Sequence, residues 1–221
     1  MMNTHDYIRA AEWLTEQSLS ILPMLRTDRI PASDELLLME QMHSGILTDS
    51  AEVVNACAGL DRRSVFLTMR AGKDGLQASR GKCRYLAEKD ADIRQLDALV
   101  GPFLEPGYLE EISLRVQPDM CAEGFSAQNI PAFARLIRRS ENLAVRALFL
   151  PFDLRGDLSC QAKAAFSLVK QIRADLPCTL HAFCFEGLLV PLMQGDKELL
   201  KTLQMLASLN DTSLYAAFYI S

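Results

Sequence analysis

Apolar runs and amphipathic segments alternate along almost the whole chain. The apolar runs of the second half are typical of strands that other layers cover on both faces. Four strands are predicted there: YLEEISLRVQP (108–118), LAVRALFLPF (143–152), CTLHAFCF (178–185) and SLYAAFYIS (213–221). The segments between them have helical spacing, since Phe133, Ala134 and Ile137, for example, fall on one face of a helix.

The first half shows the same alternation with weaker signals. Its predicted strands are SILPMLR (20–26), GILTD (45–49), SVFLTM (64–69) and CRYLAE (83–88), the last a poor strand. A helix over residues 5–19 precedes the first strand, and Gly101-Pro102 ends the helix that follows the fourth. Side chains that accept hydrogen bonds from backbone N–H groups predict the starts of four other helices. These predicted caps are Ser33 or Asp34, Ser50, Ser126 and Asp196.

The order of these elements predicts the fold. About eight strands and eight helices alternate, which implies parallel strands joined by right-handed crossovers. We therefore predict an α/β fold, a single (β/α)8 TIM-type barrel with an N-terminal helix before the first strand. An open doubly wound sheet is the alternative. No linker rich in Pro, Gly or Ser divides the chain, so residues 1–221 are expected to form one barrel domain.

Composition narrows the class of protein. The 221 residues are 49 % apolar and 23 % charged, the balance of an ordinary globule, and the net charge of −5 disfavours nucleic acid as a partner. The first twenty residues lack the apolar core of a signal peptide, and no apolar run approaches the roughly 18 residues of a membrane span. The six cysteines form no C-x-x-C pair and are expected to be reduced thiols of a cytoplasmic protein. The three isolated histidines give no metal-ligand spacing.

Charged and polar residues stand where the predicted strands end. Barrels build their sites at the carboxyl ends of their strands, so these residues are candidates for ligand binding. They are Arg26, Asp28, Asp49, Arg70, Arg115, Gln117, Asp153, Arg155 and Glu186. Converging arginines suit an anionic ligand. They suit mutual salt bridges with the neighbouring carboxylates equally well, and the sequence leaves both possibilities open.

Five stretches carry a resemblance to a known family. They are MLRTD (24–28), GILTDSAEVVNA (45–56), SVFLTMRAGKDGL (64–76), LRVQPDMCAEGFSAQNIPAF (114–133) and NLAVRALFLPFD (142–153). In this order they resemble the barrel domain of the alanine racemase and ornithine/diaminopimelate decarboxylase superfamily, over nearly the whole chain. The resemblance implies a TIM-type barrel. In that family a lysine at the end of the first strand holds pyridoxal 5′-phosphate (PLP) as a Schiff base, and an appended β-domain follows the barrel, with no counterpart here.

The residues at several decisive positions depart from the family's pattern. Arg26 stands at the lysine position, and a guanidinium cannot form an imine because it is always protonated. The stretch 147–152 lacks the histidine of the sixth strand. In Phe185-Glu186-Gly187 a carboxylate replaces the Gly-rich phosphate loop, and it would repel a phosphate. The last six residues, AAFYIS (216–221), lack the carboxylate and arginine that close the family's phosphate site.

Two features keep a link to the family's chemistry. Arg115 matches the arginine of the family's fifth strand, which makes it the best single candidate for an inherited site residue. Lys73, after the third predicted strand, and Lys82, beside the fourth, are alternatives for the cofactor lysine.

Three hypotheses for the function follow. We predict a catalytically degenerate homologue of the PLP barrels, a pseudoenzyme that acts as a binding or regulatory protein without a cofactor. The alternative is a PLP-binding racemase-like, decarboxylase-like or PLP-homeostasis protein that uses a displaced lysine or holds PLP non-covalently. The third is an enzyme with other chemistry, in which Arg26, Arg115 and a carboxylate act on an anionic small molecule. Whether the chain is an enzyme stays open, and so does its partner: an anionic small molecule, a protein or a second copy in a homodimer.

Overall fold

A computed structural model describes most of the chain. The residues it describes are 8–9, 12–13, 16, 21–61, 65–72, 74–117, 125–153, 155–175, 180, 182–187, 194–210 and 213–219. Of the predicted N-terminal helix (5–19), the five described residues are helical, and the others lie outside the described part. His5, Lys73, Cys121, Cys178 and His181 lie outside it as well.

Eight strands form a closed barrel. They are β1 (Ile21–Arg26), β2 (Gly45–Thr48), β3 (Phe66–Arg70), β4 (Arg84–Ala87), β5 (Glu110–Gln117), β6 (Leu143–Pro151), β7 (Ala182–Glu186) and β8 (Ser213–Tyr219). Each strand pairs in parallel with the next, and β8 pairs with β1, so the ring has no open edge. The predicted TIM-type barrel is therefore confirmed, and the open doubly wound sheet is wrong. A further two-residue strand, Phe125–Ser126, pairs with the end of β5.

Seven helices are described in full between the strands. They are α1 (Ser33–Gln41), α2 (Ala51–Ala56), α3 (Leu76–Ser79), α4 (Asp90–Val100), α5 (Ile130–Arg139), α6 (Leu158–Asp175) and α7 (Lys197–Asn210). Short 3-10 turns lie at Gly101–Phe103 and Ala127–Asn129. Among the described helices, none combines the length and the apolar content needed to cross a bilayer.

Two of the predicted helix caps are confirmed and two are wrong. Ser50 accepts a hydrogen bond from the N–H of Val53, and Asp196 accepts one from Leu199. α1 instead begins after Ala32, whose N–H donates to the Glu35 carboxylate at 2.7 Å, so the capping acceptor comes from inside the first turn. The helix predicted to start at Ser126 begins only after Asn129, because the 3-10 turn Ala127–Asn129 comes first.

The core has two layers. The larger one lies between the outer face of the strands and the helices, with Tyr85, Phe133 and Phe183 among its largest buried side chains. The smaller one fills the barrel interior with side chains of the opposite strand parity. Its members are Met24, Leu47, Phe66, Leu86, Ala147, Phe149, Ala182 and Cys184. A packed interior leaves the carboxyl ends of the strands as the place where polar side chains meet.

Candidate functional site at the barrel mouth

The strand register brings four of the predicted site residues to one layer of the barrel. Arg26, Arg70, Arg115 and Glu186 belong to β1, β3, β5 and β7, at or near the carboxyl end of each strand. Each follows a buried interior residue by two positions, and side chains two residues apart point to the same face of a strand. In TIM barrels, side chains of alternate strands form such interior layers.

Two carboxylates from the strands between complete a continuous series of contacts around the barrel mouth, which we call the mouth ring. The ring consists of Arg26, Asp49, Arg70, Glu88, Arg115 and Glu186, from six of the eight strands or the residues directly after them. Along this order, every residue contacts one of opposite charge.

The contacts of the mouth ring shorten towards its buried side. Asp49 Oδ2 lies 3.8 Å from Arg26 Nη2 and 3.4 Å from Arg70 Nη1. Glu88 bridges two arginines, with Oε2 at 2.7 Å from Arg70 Nη2 and Oε1 at 3.0 Å from Arg115 Nη1. Arg115 Nη2 in turn lies 2.7 Å from Glu186 Oε2. Three positive and three negative groups thus neutralise one another across the mouth.

Most charged side chains of the mouth ring are largely withdrawn from solvent. Arg70 is 8 % exposed, Glu88 12 %, Arg115 13 % and Glu186 3 %, whereas Arg26 is 27 % exposed. Charges withdrawn from water in this way are tolerated only with close partners of opposite sign. The pairing of these charges therefore contributes to the stability of the fold as well as to the site.

Glu186 is the most deeply buried acid of the ring. Burial raises the pKa of its carboxyl above the ordinary value, and the adjacent Arg115 guanidinium offsets only part of that effect. Directly below, burial also raises the pKa of the Cys184 thiol. That thiol donates to the Met24 sulfur at 3.3 Å, so the layer beneath the ring contains neutral side chains.

Glu88 is the member of the mouth ring that the sequence analysis missed. It follows the short strand β4, predicted from CRYLAE (83–88) as a poor strand, and its shared parity with the interior residue Leu86 was the available signal. The backbone after β4 is fixed by the buried Asp92, whose Oδ2 accepts from the N–H groups of Glu88 at 2.9 Å and Lys89 at 3.2 Å.

Removal of the Asp92 carboxylate should loosen this turn. We expect Asp92→Ala to lower the free energy of unfolding by about 1–2 kcal/mol, because two partly buried N–H groups lose their acceptor. Asp90→Ala, in the same first turn of α4 but exposed, should cost less than about 1 kcal/mol. Urea denaturation of both variants measures the difference, and equal effects would show that Asp92 does not position the turn.

The other predicted candidates lie outside the mouth ring. Asp28 accepts hydrogen bonds from Thr48 Oγ1 at 3.1 Å and from the N–H of Asp49 at 2.7 Å, so it fixes the end of β2. Asp153 is exposed, and its Oδ1 accepts from the N–H of Arg155 within the loop before α6. Gln117 is buried at the end of β5. The ring thus includes Arg26, Arg70, Arg115 and Glu186 of the predicted set, but neither Asp28 nor Asp153.

A covalently held PLP would need a primary amine at the mouth. The cations of the mouth ring are all guanidinium groups. Lys82 precedes β4, at the opposite end of the barrel, where its Nζ donates to Asn55 Oδ1 and to the carbonyl of Ala78. Lys89 is exposed and stands next to Glu88, with the opposite strand parity. The described residues of the ring therefore do not fit a Schiff-base cofactor, and the buried carboxylate of Glu186 does not favour a phosphate.

The amino ends of the strands have a separate and smaller group of charges. Glu111 lies 3.3 Å from Arg84 Nε and 3.5 Å from Arg146 Nε, and Arg84 also stacks over the ring of Phe66. A cleft of about 280 Å³ opens beside them.

No group of three or more metal-ligating side chains occurs in the part of the chain that the structure describes. Among the described cysteines, Cys57, Cys83, Cys160 and Cys184 form no disulfide.

Comparison with known proteins finds similar structures but no matching sequence or family model. No protein-family model and no curated protein sequence matches this chain. The diaminopimelate decarboxylase of Helicobacter pylori, solved with L-lysine, superimposes with a TM-score of 0.67 at 16 % identity, over 97 % of this chain and 61 % of the enzyme. The ornithine decarboxylase of Entamoeba histolytica gives a TM-score of 0.72 at 12 % identity, over 97 % of this chain and 63 % of the enzyme. An unknown protein from Bifidobacterium adolescentis gives a TM-score of 0.62 at 11 % identity, over 97 % of this chain and 90 % of that protein.

These likenesses define the fold and its extent. The chain spans about three-fifths of the length of the decarboxylases it matches. At such low identities the likeness carries no substrate or cofactor to this chain, because one fold supports many functions. The resemblance to the alanine racemase and ornithine/diaminopimelate decarboxylase superfamily is confirmed at the level of the fold: this chain forms the barrel that these decarboxylases share.

Proposed function

We propose that this barrel is a pseudoenzyme of the PLP-barrel fold, a binding or regulatory protein that holds no covalent cofactor. The observation that carries the proposal is the mouth ring. At the carboxyl ends of the strands, where barrels place their reactive groups, six charged side chains bind one another. None of the six is a nucleophilic amine.

The chemistry of Arg26 supports the proposal most directly. It is the last residue of β1, the position at which the sequence resemblance implies the cofactor lysine. A guanidinium does not lose its proton at physiological pH and forms no imine with an aldehyde. Its contact with Asp49 gives it an electrostatic role in the ring instead.

The third hypothesis, an enzyme acting on an anionic molecule through Arg26 and Arg115, receives less support. Arg115 contacts two carboxylates at 3.0 Å and 2.7 Å. Arg26 contacts Asp49. An anionic substrate would first have to displace these internal partners.

A PLP-binding protein with a displaced lysine is the second candidate, and the shared fold of the decarboxylases favours it. Lys82 is a poor choice for that lysine, since it lies at the amino end of β4 and bonds to Asn55. Lys73 lies between β3 and α3 in the sequence, outside the described residues. A test of the cofactor must therefore identify the lysine as well as the adduct.

The test is incubation with PLP, reduction with borohydride and mass spectrometry of the intact chain and its peptides. We expect no stoichiometric adduct, no saturable absorbance near 420 nm and no rise in melting temperature with PLP, because a ligand that binds the native state stabilises it. One adduct per chain that disappears in Lys73→Arg but persists in Lys82→Arg would overturn the proposal. At pH 8, a saturable thermal shift that PLP gives and inorganic phosphate does not would overturn it in favour of non-covalent PLP binding.

A further inference from the structure

The Glu186 carboxylate occupies a position that a small anion could take. Its Oε2 lies 2.7 Å from Arg115 Nη2, and the charge of Arg26 also acts on it from β1. Two guanidinium groups from different strands thus act on one carboxylate, and guanidinium groups bind free oxyanions with the same donors. Glu186 is therefore placed as an internal ligand of an oxyanion site.

The charge balance of the mouth ring depends on whether Glu186 is ionised. Within the ring, as the described residues define it, three arginines face three carboxylates when Glu186 is ionised. Without that negative charge the ring carries one excess positive charge in a largely buried setting, where an unbalanced charge is costly. An incoming anion restores the balance.

We propose that Arg115 and Arg26 form a site for a small oxyanion, which Glu186 occupies as an internal competitor and vacates when it takes up a proton. The ligand class is a dianionic or monoanionic oxyanion, such as a sulfate, a phosphate group or a carboxylate. The mouth is then closed at high pH and opens as the pH falls.

Two buried hydroxyls beneath the ring are an independent observation in favour of a polar ligand. Thr68 and Ser113 are fully buried, and each lies two residues before an arginine of the ring, on the barrel-facing side of β3 and β5. Among the described residues, neither hydroxyl has a hydrogen-bond partner. Buried hydroxyls are normally satisfied, and these two lie directly below Arg70 and Arg115.

The groups around Glu186 determine whether its carboxyl is ionised or protonated. The charged groups that act on it are Arg115 from β5, Arg26 from β1 and Glu88 after β4, with the thiol of Cys184 on its own strand. On the flanking strands β6 and β8, the residues in register with it are Pro151 and Ala217, which do not titrate. Arg115 and Arg26 favour the ionised form of Glu186, and burial and Glu88 oppose it.

The pKa of Glu186 is raised by burial, which fixes the sign of the pH dependence. A carboxyl group whose pKa is higher in the folded than in the unfolded chain favours folding most below its unfolded pKa, and this contribution is lost as the pH rises through the folded pKa. The effect of burial, which favours the neutral form, is thus larger than that of the neighbouring arginines, which favours the ionised form. Glu186→Gln, which imitates the neutral form, should therefore fold.

This inference rests on the proposed function, because a covalent cofactor would take the same mouth. The probe is inorganic sulfate, whose charge stays constant between pH 5 and pH 8, so any pH dependence belongs to the protein. Isothermal titration at constant ionic strength measures the Kd. We expect wild-type protein to bind sulfate more tightly as the pH falls, with a change approaching tenfold per pH unit above the pKa of Glu186, since binding takes up one proton.

The variants assign the effect to the ring. Glu186→Gln should bind sulfate at pH 8 as tightly as wild type does at pH 5, with a flat pH profile. Arg115→Gln added to this variant should abolish binding. Should that double variant fail to fold, Arg26→Gln added to Glu186→Gln should weaken binding at least tenfold. Glu111→Gln, at the opposite end of the barrel, should keep the wild-type profile.

A Glu186→Gln variant that folds but does not bind sulfate at pH 8, or that keeps the wild-type pH profile, would overturn the inference. The proposed function fails by a different result, a stoichiometric PLP adduct on a lysine. Sulfate binding thus tests the oxyanion site, and the PLP adduct tests the proposed function.

Discussion

Replacement of Glu88 by alanine is expected to lower the free energy of unfolding by about 3 kcal/mol, the lower end of the range for breaking a buried ion pair. The carboxylate bridges Arg70 at 2.7 Å and Arg115 at 3.0 Å, and all three side chains are at most 13 % exposed. Its loss leaves two buried guanidinium groups short of a counter-charge. Arg70 still contacts Asp49 and Arg115 still contacts Glu186, which is why the expected value stays at the lower end.

Glu111→Ala is the matched control for this prediction. Glu111 also bridges two arginines, Arg84 and Arg146, but it is 37 % exposed, so solvent screening should keep the cost below about 1 kcal/mol. Urea denaturation of both variants at neutral pH and moderate salt measures the difference. Similar losses for the two would show that the mouth ring has no special role in stability.

The Leu86→Ala variant is expected to lose about 2–5 kcal/mol of unfolding free energy. Leu86 is fully buried in the barrel interior and packs in the same cluster as Met24, Leu47 and Phe149. Its removal combines a lost transfer free energy with a cavity that a closed ring of strands cannot easily collapse. The same cavity lies beneath Glu88, so the defect should also loosen the ring above it.

Leu37→Ala provides the comparison for this core substitution. Leu37 lies on α1 and is 57 % exposed, so the same truncation there should change the stability by no more than about 0.5 kcal/mol. Thermal or urea unfolding of the two variants tests the assignment. A loss below 1 kcal/mol for Leu86→Ala would contradict a packed barrel interior.

The alternation of strands and helices was enough to predict the closed barrel. Parallel strands end at a common face, so the sequence could also place Arg26, Arg70, Arg115 and Glu186 near one another. What it could not supply was the pairing, because the partner of Arg115 depends on how β4 and β7 are placed around the ring. The sequence therefore left an anionic ligand and internal salt bridges as equal alternatives.

The errors have local physical causes. Glu88 was missed because β4 is only four residues long, Arg84–Ala87, and starts with a charge. Asp28 follows β1 but lies outside the mouth ring, and its Oδ1 accepts hydrogen bonds from Thr48 and Asp49. The start of α1 was misplaced because Glu35, rather than Ser33, supplies the acceptor.

We propose that the chain's own guanidinium and carboxylate groups fill the barrel mouth in place of a cofactor amine. A crystal structure of the protein grown with excess PLP would show which groups stand there. We expect the unbroken alternation from Arg26 through Glu88 to Glu186, with every lysine Nζ outside the mouth. Electron density that joins a pyridoxal ring to a lysine Nζ at the carboxyl ends of the strands would contradict it.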